Sequence, residues 1–344
     1  MKNIRIGAIN WDAGLPKDTY FGGFALRNLG NDKYKARLPF YAKKRGDGYE
    51  IPLRTQEEYD KELMYAIEGG IDFFAFCWYP DTVAEKRTIW KDDERYTYLS
   101  EHYPELNIAR KLYLKSELKK KIGMCAIMFC INAYAESDFE ELIDAMEQDF
   151  YEKIDGRPLV IIFGGYNAGF IRIIRQYAGK KGLNPYVAFV EECPDYSRDY
   201  SEADAVTVYA IMHRHNINNF DELLALSEKE NKGRLNYDMS VIPMMTMGWN
   251  PMPRIDFPVP WVDYGDCTYA GQPEEKHIKK SFEILNKLIE ANPDKVNTGC
   301  ALTFAWNEFE EGGYLCPTLN FDGTVNDRFL KSFSKIKKEI YHDS

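Results

Sequence analysis

Eight short apolar runs recur along the chain, and each is nearly continuous rather than alternating between apolar and polar positions. Continuous runs of this length are typical of parallel strands that are buried on both faces. The pattern therefore predicts eight buried strands, at residues 4–9, 71–78, 122–131, 159–163, 186–190, 205–211, 241–247 and 300–306.

Segments with helical periodicity separate most of these runs. The clearest helix start is the capping box Thr55-Gln-Glu-Glu58, and the helix that it opens is expected to end at Gly69-Gly70. The link between the fifth and sixth strands, residues 191–204, is too short and too rich in turn residues for a full helix. The other predicted helices cover residues 107–121, 138–151, 170–180, 221–231, 274–291 and 327–341.

Strands and helices that alternate eight times in 344 residues predict an α/β fold, a single (β/α)8 barrel over residues 1–344. The alternative is a doubly wound open sheet, but no G-x-G-x-x-G motif of a dinucleotide-binding sheet follows the first strand. Three long connections, at 10–54, 79–106 and 248–273, follow strand ends and are rich in Gly, Pro, Tyr and Trp. They predict elaborated loops on the C-terminal face of the barrel.

The charge excludes several classes of partner. The chain has 44 Lys and Arg against 54 Asp and Glu, a formal net charge of −10, so it is not expected to bind nucleic acid. No apolar run approaches the roughly 18 residues that span a bilayer, so no membrane insertion is expected. No export signal is visible at the start, which favours a cytoplasmic location. The oligomeric state is left open.

Cysteine and histidine spacing predicts neither a metal site nor a cofactor. The seven cysteines form no C-x-x-C motif, and four of them lie in apolar runs, where a thiol behaves as a small core residue. The five histidines form no zinc motif, and the close pair His213 and His215 is better explained as part of a solvated loop. Free thiols favour a reducing compartment.

Aromatic rings, carboxylates and amides follow most of the predicted strands. In a barrel these strand ends meet at one face, and rings beside carboxylates and amides are what a sugar-binding cleft requires. For any single ring, the alternative of equal weight is that it caps the barrel core. The predicted substrate-binding residues at strand ends are Trp11, Asp12, Trp78, Tyr79, Asn132, Glu191, Tyr209, Trp249, Trp306 and Asn307. Tyr134, Glu192, His213 and His215 are either further contacts or ordinary loop residues.

The segment after the last strand holds three glutamates in four positions, Glu308, Glu310 and Glu311. In a turn or a helix start, Glu308 and Glu311 share one face, with roughly 5–6 Å between their Cβ atoms. Glycosidases use two carboxyl groups, one of which must hold a proton, and neighbouring carboxylates raise each other's pKa. The alternative is a solvated acidic turn, which the preceding Trp306 and Asn307 make less favoured.

The stretch Asn307-Glu308-Phe309-Glu310-Glu311-Gly312 resembles the N-E-W-x-E-G signature of the glycoside hydrolase family 99 endo-α-mannosidases and of the related WbsX-like proteins found with polysaccharide biosynthesis. Residues 70–79, GIDFFAFCWY, resemble the second strand of that group. Residues 248–254, GWNPMPR, resemble its G-W-D-x-x-P-R loop after the seventh strand. The three segments occur in the expected order, so the resemblance covers nearly the whole chain.

This resemblance implies a (β/α)8 barrel and metal-independent, retaining cleavage of an α-mannosidic bond in an oligosaccharide or polysaccharide. It assigns Glu308 as the base that acts on the sugar's own 2-hydroxyl, giving a 1,2-anhydro intermediate, and Glu311 as the acid and then the base. An internal hydroxyl held at the anomeric carbon has a large effective molarity. Trp306 and Asn307 are implied to shape the subsite, and Arg254 to bind substrate or to orient Glu308.

Four positions depart from the family pattern: Phe309 replaces a Trp, Glu310 adds a charge, Asn250 replaces an Asp, and Cys316 replaces a Glu. They leave open both the preferred sugar and whether the site is active. Two other functions remain, a non-catalytic glycan-binding barrel and a glycosyltransferase of surface-polysaccharide assembly, although no D-x-D motif supports the second. Glu191 is the alternative catalytic partner if Glu308 and Glu311 do not pair.

Overall fold

Eight parallel strands surround the core in the computed structural model, which describes residues 4–81, 101–130, 134–192, 194–211, 216–265 and 268–341. Each strand pairs with its neighbours in chain order, and β1 also pairs with β8, with Gly7 opposite Leu302. The strands are β1 (Arg5–Asn10), β2 (Phe73–Trp78), β3 (Gly123–Phe129), β4 (Arg157–Phe163), β5 (Tyr186–Val190), β6 (Ala205–Thr207), β7 (Ser240–Val241 and Met244–Thr246) and β8 (Cys300–Phe304).

The seventh strand closes the barrel by pairing with both of its neighbours in succession. Its first part, Ser240–Val241, pairs with β6, and its second part, Met244–Thr246, pairs with β8. The change of neighbour occurs at Pro243, which lacks an N–H group and so cannot donate to a strand ladder. Its carbonyl oxygen still accepts a hydrogen bond from the eighth strand, from the N–H of Leu302 at 2.9 Å. The fold is therefore the predicted (β/α)8 barrel.

Helices cover the outside of the sheet and occupy parts of the long loops. They are α1 (Tyr20–Leu29), α2 (Gln56–Glu68), α3 (Ile108–Lys115), α4 (Glu136–Met146), α5 (Ala168–Gly179), α6 (Phe220–Arg234), α7 (Met252–Asp256), α8 (Glu275–Ala291) and α9 (Arg328–Tyr341). Short 3-10 turns lie at Lys35–Arg37, Tyr103–Asn107 and Glu117–Lys120. Short antiparallel pairs join Lys43–Arg45 to Gly48–Glu50, Asn307–Glu308 to Gly313–Tyr314, Thr318–Leu319 to Val325–Asn326, and Lys153–Ile154 to β4.

The predicted strands and helices are present, with ends that shift by a few residues. The Thr55 capping box opens α2, and Gly70, at φ +80°, follows its end. The predicted helix at 107–121 divides at Ser116, which caps the 3-10 turn that follows α3. Two helices in the long loops were not predicted, α1 and α7. The first turn of α1 contains Gly22 and Gly23, which weaken the helical pattern in the sequence.

The described cysteines are buried free thiols, and burial raises the pKa of each. They are therefore inert core residues, as the apolar runs predicted for all of them except Cys316. They are Cys77, Cys125, Cys130, Cys300 and Cys316. Among the described residues, no helix combines the length and apolar character that crossing a bilayer requires.

Close packing inside the barrel gives a first prediction. A methyl group added to Gly7 in β1 would lie 2.1 Å from a ring carbon of Phe73 in β2. Because overpacking a dense core costs about 1–3 kcal/mol, Gly7→Ala should lower the melting temperature in a calorimetric scan. In the control Gly179→Ala, the added methyl group at the end of α5 meets open space, so its melting temperature should stay the same or rise. Equal melting temperatures for the two variants would contradict this packing.

Candidate active site

Glu308 and Glu311 lie on a tight β-hairpin that follows β8. Asn307–Glu308 pairs antiparallel with Gly313–Tyr314, so residues 309–312 form the turn. We refer to residues 307–314 as the Glu308 hairpin. Of the two conformations that the three-residue spacing allowed, a turn and a helix start, the chain adopts the turn. Gly312 has φ +76°, a left-handed conformation that glycine allows and that reverses the chain.

The loop after β7 holds this turn in place. The N–H of Asn250 donates to the carbonyl oxygen of Glu311 at 2.6 Å. Gly248 lies so close that a Cβ atom there would be 2.1 Å from the carbonyl oxygen of Gly312. The G-W-N-P-M-P-R segment therefore packs backbone to backbone against the hairpin, and the short helix α7 that follows brings Arg254 to the glutamates.

Arg254 contacts all three glutamates of the hairpin. Its Nη1 donates to Glu311, and its Nη2 lies 3.4 Å from an oxygen of Glu310 and 3.8 Å from an oxygen of Glu308. The guanidinium also lies 5.0 Å from the centre of the Trp11 ring. All four charged groups are buried. One cation cannot neutralise three buried carboxylates, so this cluster favours binding a proton.

Glu308 is the least compensated of the three carboxylates that face Arg254. Only 3% of the residue is exposed, and its Oε1 accepts a hydrogen bond from the hydroxyl of Tyr209 at 3.2 Å. Its Oε2 has no hydrogen-bond partner among the described residues. Burial, followed by the charge of Glu311, raises the pKa of Glu308 well above the ordinary value, while Arg254 opposes the shift.

Glu311 is better compensated. It accepts hydrogen bonds from both Arg254 and the hydroxyl of Tyr264. Burial still raises its pKa, and Arg254 and Tyr264 oppose the increase. The charge of Glu311 raises the pKa of Glu308, and that of Glu310 raises the pKa of Glu311. Neighbouring carboxyl groups that interact in this way are expected to titrate together rather than as independent groups. The donors around Glu311 favour its charged form, whereas Glu308, with fewer donors, is the better site for the proton.

Glu310 points to a different part of the cluster. Its Oε1 accepts from the side chain of Asn28 in α1 at 2.6 Å, and its Oε2 contacts Arg254. Neither Asn28 nor Tyr264 was singled out in the sequence. Both lie in the long loops, where only the folded chain shows which residues approach the hairpin.

A second buried ionic network lies beneath the strand end. Arg54 binds Asp12 and donates to Glu62 at 2.5 Å, and Glu62 in turn accepts the indole N–H of Trp306 at 2.9 Å. Burial raises the pKa of Asp12 to about 6, although Arg54 opposes the shift. Asp12 and Trp306, which the sequence predicted to bind substrate, are therefore held in one buried network next to the start of the hairpin.

Asn307 fixes the first strand to the hairpin. Its side-chain oxygen accepts the backbone N–H of Trp11 at 2.9 Å, and its side-chain nitrogen donates to Asn10 at 3.0 Å. Trp11 then donates from its indole to the hydroxyl of Tyr79 at 3.0 Å. Of the predicted substrate-binding residues, Trp11, Tyr79, Tyr209, Arg254 and Asn307 thus meet around the glutamates.

The other four predicted residues make different contacts or lie outside the described residues. Trp78 is fully buried on the helix side of the barrel, with the guanidinium of Arg110 3.7 Å from its ring centre. Trp249 is fully buried, with its ring centre 5.7 Å from that of Phe304 and 5.8 Å from that of Tyr264, so it packs behind a residue of the site. Glu191 is buried and lies near Tyr200 and Tyr237. Asn132 lies outside the described residues.

None of the remaining loop candidates, Tyr134, Glu192, His213 and His215, is seen to contact the hairpin glutamates in the described structure. The hydroxyl of Tyr134 donates to the backbone carbonyl of Trp78 at 2.7 Å, which is a structural contact. Glu192 is exposed. His213 and His215 lie outside the described residues. Within the described ranges, no group of three or more His, Cys, Asp or Glu side chains is arranged to hold a metal ion.

An open cavity adjoins the arginine cluster. It has a volume of about 490 Å³ and is lined by residues 258–265 together with Arg254 and Ile255. Trp261 and Tyr264 contribute rings to it, and Trp261 packs against Trp11 with ring centres 6.4 Å apart. Neither residue was predicted. A cavity of this size with ring faces and an arginine suits a sugar unit.

The comparison with solved structures shows a shared fold. No protein-family model matches the chain, and no curated protein matches it in sequence. A glycoside hydrolase-like protein matches with a TM-score of 0.62 at 14% identity, over 98% of this chain and 94% of that one. The family 99 endo-α-mannosidase from Bacteroides thetaiotaomicron matches with a TM-score of 0.54 at 13% identity, over 98% and 97%.

The barrel is built like those of glycoside hydrolases. A second structure of the same endo-α-mannosidase matches with a TM-score of 0.51 at 14% identity, over 83% of this chain and 79% of that one. The expected resemblance to family 99 is thus confirmed at the level of fold. Identities of 13–14% establish the fold alone and assign no activity.

The buried carboxylate gives a prediction for stability against pH. Because the folded-state pKa of Glu308 is raised above its ordinary value of 4.5, its contribution to stability is present below that value and is lost as pH rises through the folded pKa. Glu308→Gln should therefore gain melting temperature relative to the wild type as pH rises from 4.5 to 8, by about 2 °C or more.

The matched control is Glu117→Gln, an exposed carboxylate whose pKa is lowered by Lys120. Its melting temperature relative to the wild type should change little over the same pH range. If the difference in melting temperature between Glu308→Gln and the wild type stays constant or falls as pH rises, the pKa of Glu308 is not raised in the folded protein.

Proposed function

We propose that this protein is a retaining glycoside hydrolase that acts on an α-linked, α-mannose-containing glycan. The observation that carries the proposal is the convergence of two buried carboxylates with raised pKa values, Glu308 and Glu311, on Arg254 at the end of β8. In barrel enzymes this face holds the catalytic groups. A glycosidase needs one protonated and one ionised carboxyl group, and a coupled pair supplies both.

In the proposed reaction the pair acts on opposite sides of the anomeric centre. Glu308 takes the proton of the sugar's 2-hydroxyl while the resulting oxygen attacks the anomeric carbon. The bond to the leaving sugar breaks as Glu311 protonates its oxygen. Water then opens the 1,2-anhydro ring, with Glu311 accepting a proton from the water and Glu308 returning one to the 2-oxygen. Two successive inversions retain the configuration.

Other residues around the pair have positioning roles in this proposal. Tyr209 donates to Glu308 and orients the carboxylate toward the 2-hydroxyl. Arg254 and Tyr264 together hold Glu311. The sugar would displace part of this contact, so that the proton shared by the pair moves from Glu308 to Glu311 and leaves Glu308 ionised as the base. The rings of Trp11 and Trp261 supply stacking faces beside Arg254. No step requires a metal or a cofactor.

The direct test is hydrolysis of a panel of α-mannosides and other α-linked oligosaccharides. We expect wild-type turnover, and a loss of roughly 10²–10⁴-fold in kcat for both Glu308→Gln and Glu311→Gln, because each removes a proton-transfer group. Glu117→Gln, the same change at an exposed position, should retain full activity. Sugar binding by calorimetry without hydrolysis of any substrate would instead favour a glycan-binding barrel or a glycosyltransferase.

A change of leaving group separates the two roles. Fluoride and dinitrophenolate leave without protonation, so a variant that lacks only the acid still turns over α-mannosyl fluoride or the dinitrophenyl mannoside. Glu311→Gln should therefore lose no more than about 10-fold on these substrates, whereas Glu308→Gln should stay inactive. The opposite pattern would assign the acid role to Glu308, the carboxyl group with fewer hydrogen-bond donors.

A further inference from the structure

A basic cavity lies behind the Glu308 hairpin, in a protein whose net charge is −10. Its volume is about 500 Å³, within the range of sites for small molecules. It is distinct from the cavity at Trp261 and shares none of that cavity's lining residues. The side chains that matter most in its lining are Lys33, Tyr34, Arg37, Gln272, Tyr314 and Arg328.

Two of its cations have no carboxylate partner among the described residues. Over the described ranges, no carboxylate lies within ion-pair distance of Arg37 or Arg328, whereas Lys33 is paired with Asp256. Arg37 is half-buried and donates to the backbone carbonyl of Asn250 at 2.8 Å. Burial lowers its pKa, and no carboxylate offsets the effect. An uncompensated guanidinium beside an open cavity is a site for an oxyanion.

The same cavity offers groups that suit hydroxyls. Gln272 donates from its side-chain nitrogen to the carbonyl of Gly312 at 3.3 Å, which leaves its side-chain oxygen as a buried acceptor without a partner in the described structure. A ligand hydroxyl would satisfy that oxygen. The rings of Tyr34 and Tyr314 form part of the wall and can contact sugar C–H groups.

We propose that this cavity binds the acidic group of a sugar, a carboxylate, phosphate or sulfate held by Arg37 and Arg328, with a neighbouring hydroxyl donating to Gln272. The cavity shares Asn250 with the loop that holds the turn of the Glu308 hairpin, since the N–H of Asn250 donates to Glu311 and its carbonyl accepts from Arg37. The assignment of this sugar to the substrate, as a unit beyond the cleaved bond, rests on the proposed function; the binding site does not.

The test is calorimetric titration at low ionic strength, with glucuronate, mannose 6-phosphate, mannose 6-sulfate, inorganic phosphate and neutral mannose as ligands. We expect saturable binding of at least one sugar anion, tighter than that of inorganic phosphate or mannose, and weakened by added salt. The sugar anion that binds identifies the acidic group. Arg328→Gln should lower the affinity roughly 10-fold, because one charge-assisted contact is lost.

The variants are chosen so that the site can fail the test. Arg328 is exposed, so its replacement leaves the hairpin contacts intact, whereas Arg37→Gln also removes the contact to Asn250. Lys338→Gln, an exposed cation on the same helix that does not line the cavity, should bind as the wild type does. No saturable binding of any sugar anion, binding of inorganic phosphate alone, or equal affinities of the wild type and Arg328→Gln would overturn the proposal.

The titration requires no turnover, so it is independent of the hydrolase test. Repeating it with Glu311→Gln should give wild-type affinity, because the carboxylate of Glu311 does not line the cavity. Anion binding by a protein that hydrolyses nothing would leave this site established and the proposed function refuted. Hydrolysis without anion binding would support the proposed function and refute this binding site.

Discussion

The arrangement of the candidate site depends on one buried guanidinium that faces three carboxylates. Arg254 contacts Glu308, Glu310 and Glu311, and each of them is almost fully buried. Burying a charge without compensation is costly, so a cluster with two excess negative charges binds a proton instead. That proton is what a glycosidase acid needs. The chemistry proposed here follows from this imbalance rather than from any single residue.

The barrel supplies the rigidity that keeps the charges together. Arg254 lies in the loop after β7, and the glutamates lie in the hairpin after β8. The two segments are joined through their backbones, at Gly248 against Gly312 and at Asn250 against Glu311. A side chain at Gly248 would separate them. The Asp12, Arg54 and Glu62 network holds the residue before the hairpin, because Glu62 accepts the indole N–H of Trp306.

The strands and most helices could be predicted from sequence because buried parallel strands have continuous apolar runs and the helices between them are amphipathic. A continuous apolar run does not show which way each side chain points, because successive strand residues alternate between the barrel interior and the helix layer. Trp78 therefore packs on Arg110, while Cys77 beside it contacts Tyr209. The spacing of the glutamates fits a helix or a hairpin equally well, and the contributions of Tyr264 and Trp261 arise only from the folding of the long loops.

The protonation of the Glu308 and Glu311 pair is measured most directly by infrared difference spectroscopy with carbon-13-labelled glutamate, comparing the wild type with Glu308→Gln and Glu311→Gln at pH 7. We expect a protonated carboxyl band in the wild type that disappears in Glu308→Gln, because the pair holds one proton in a buried site. The absence of a protonated glutamate band from the wild-type spectrum, or a band that stays unchanged in both variants, would contradict a shared proton on this pair.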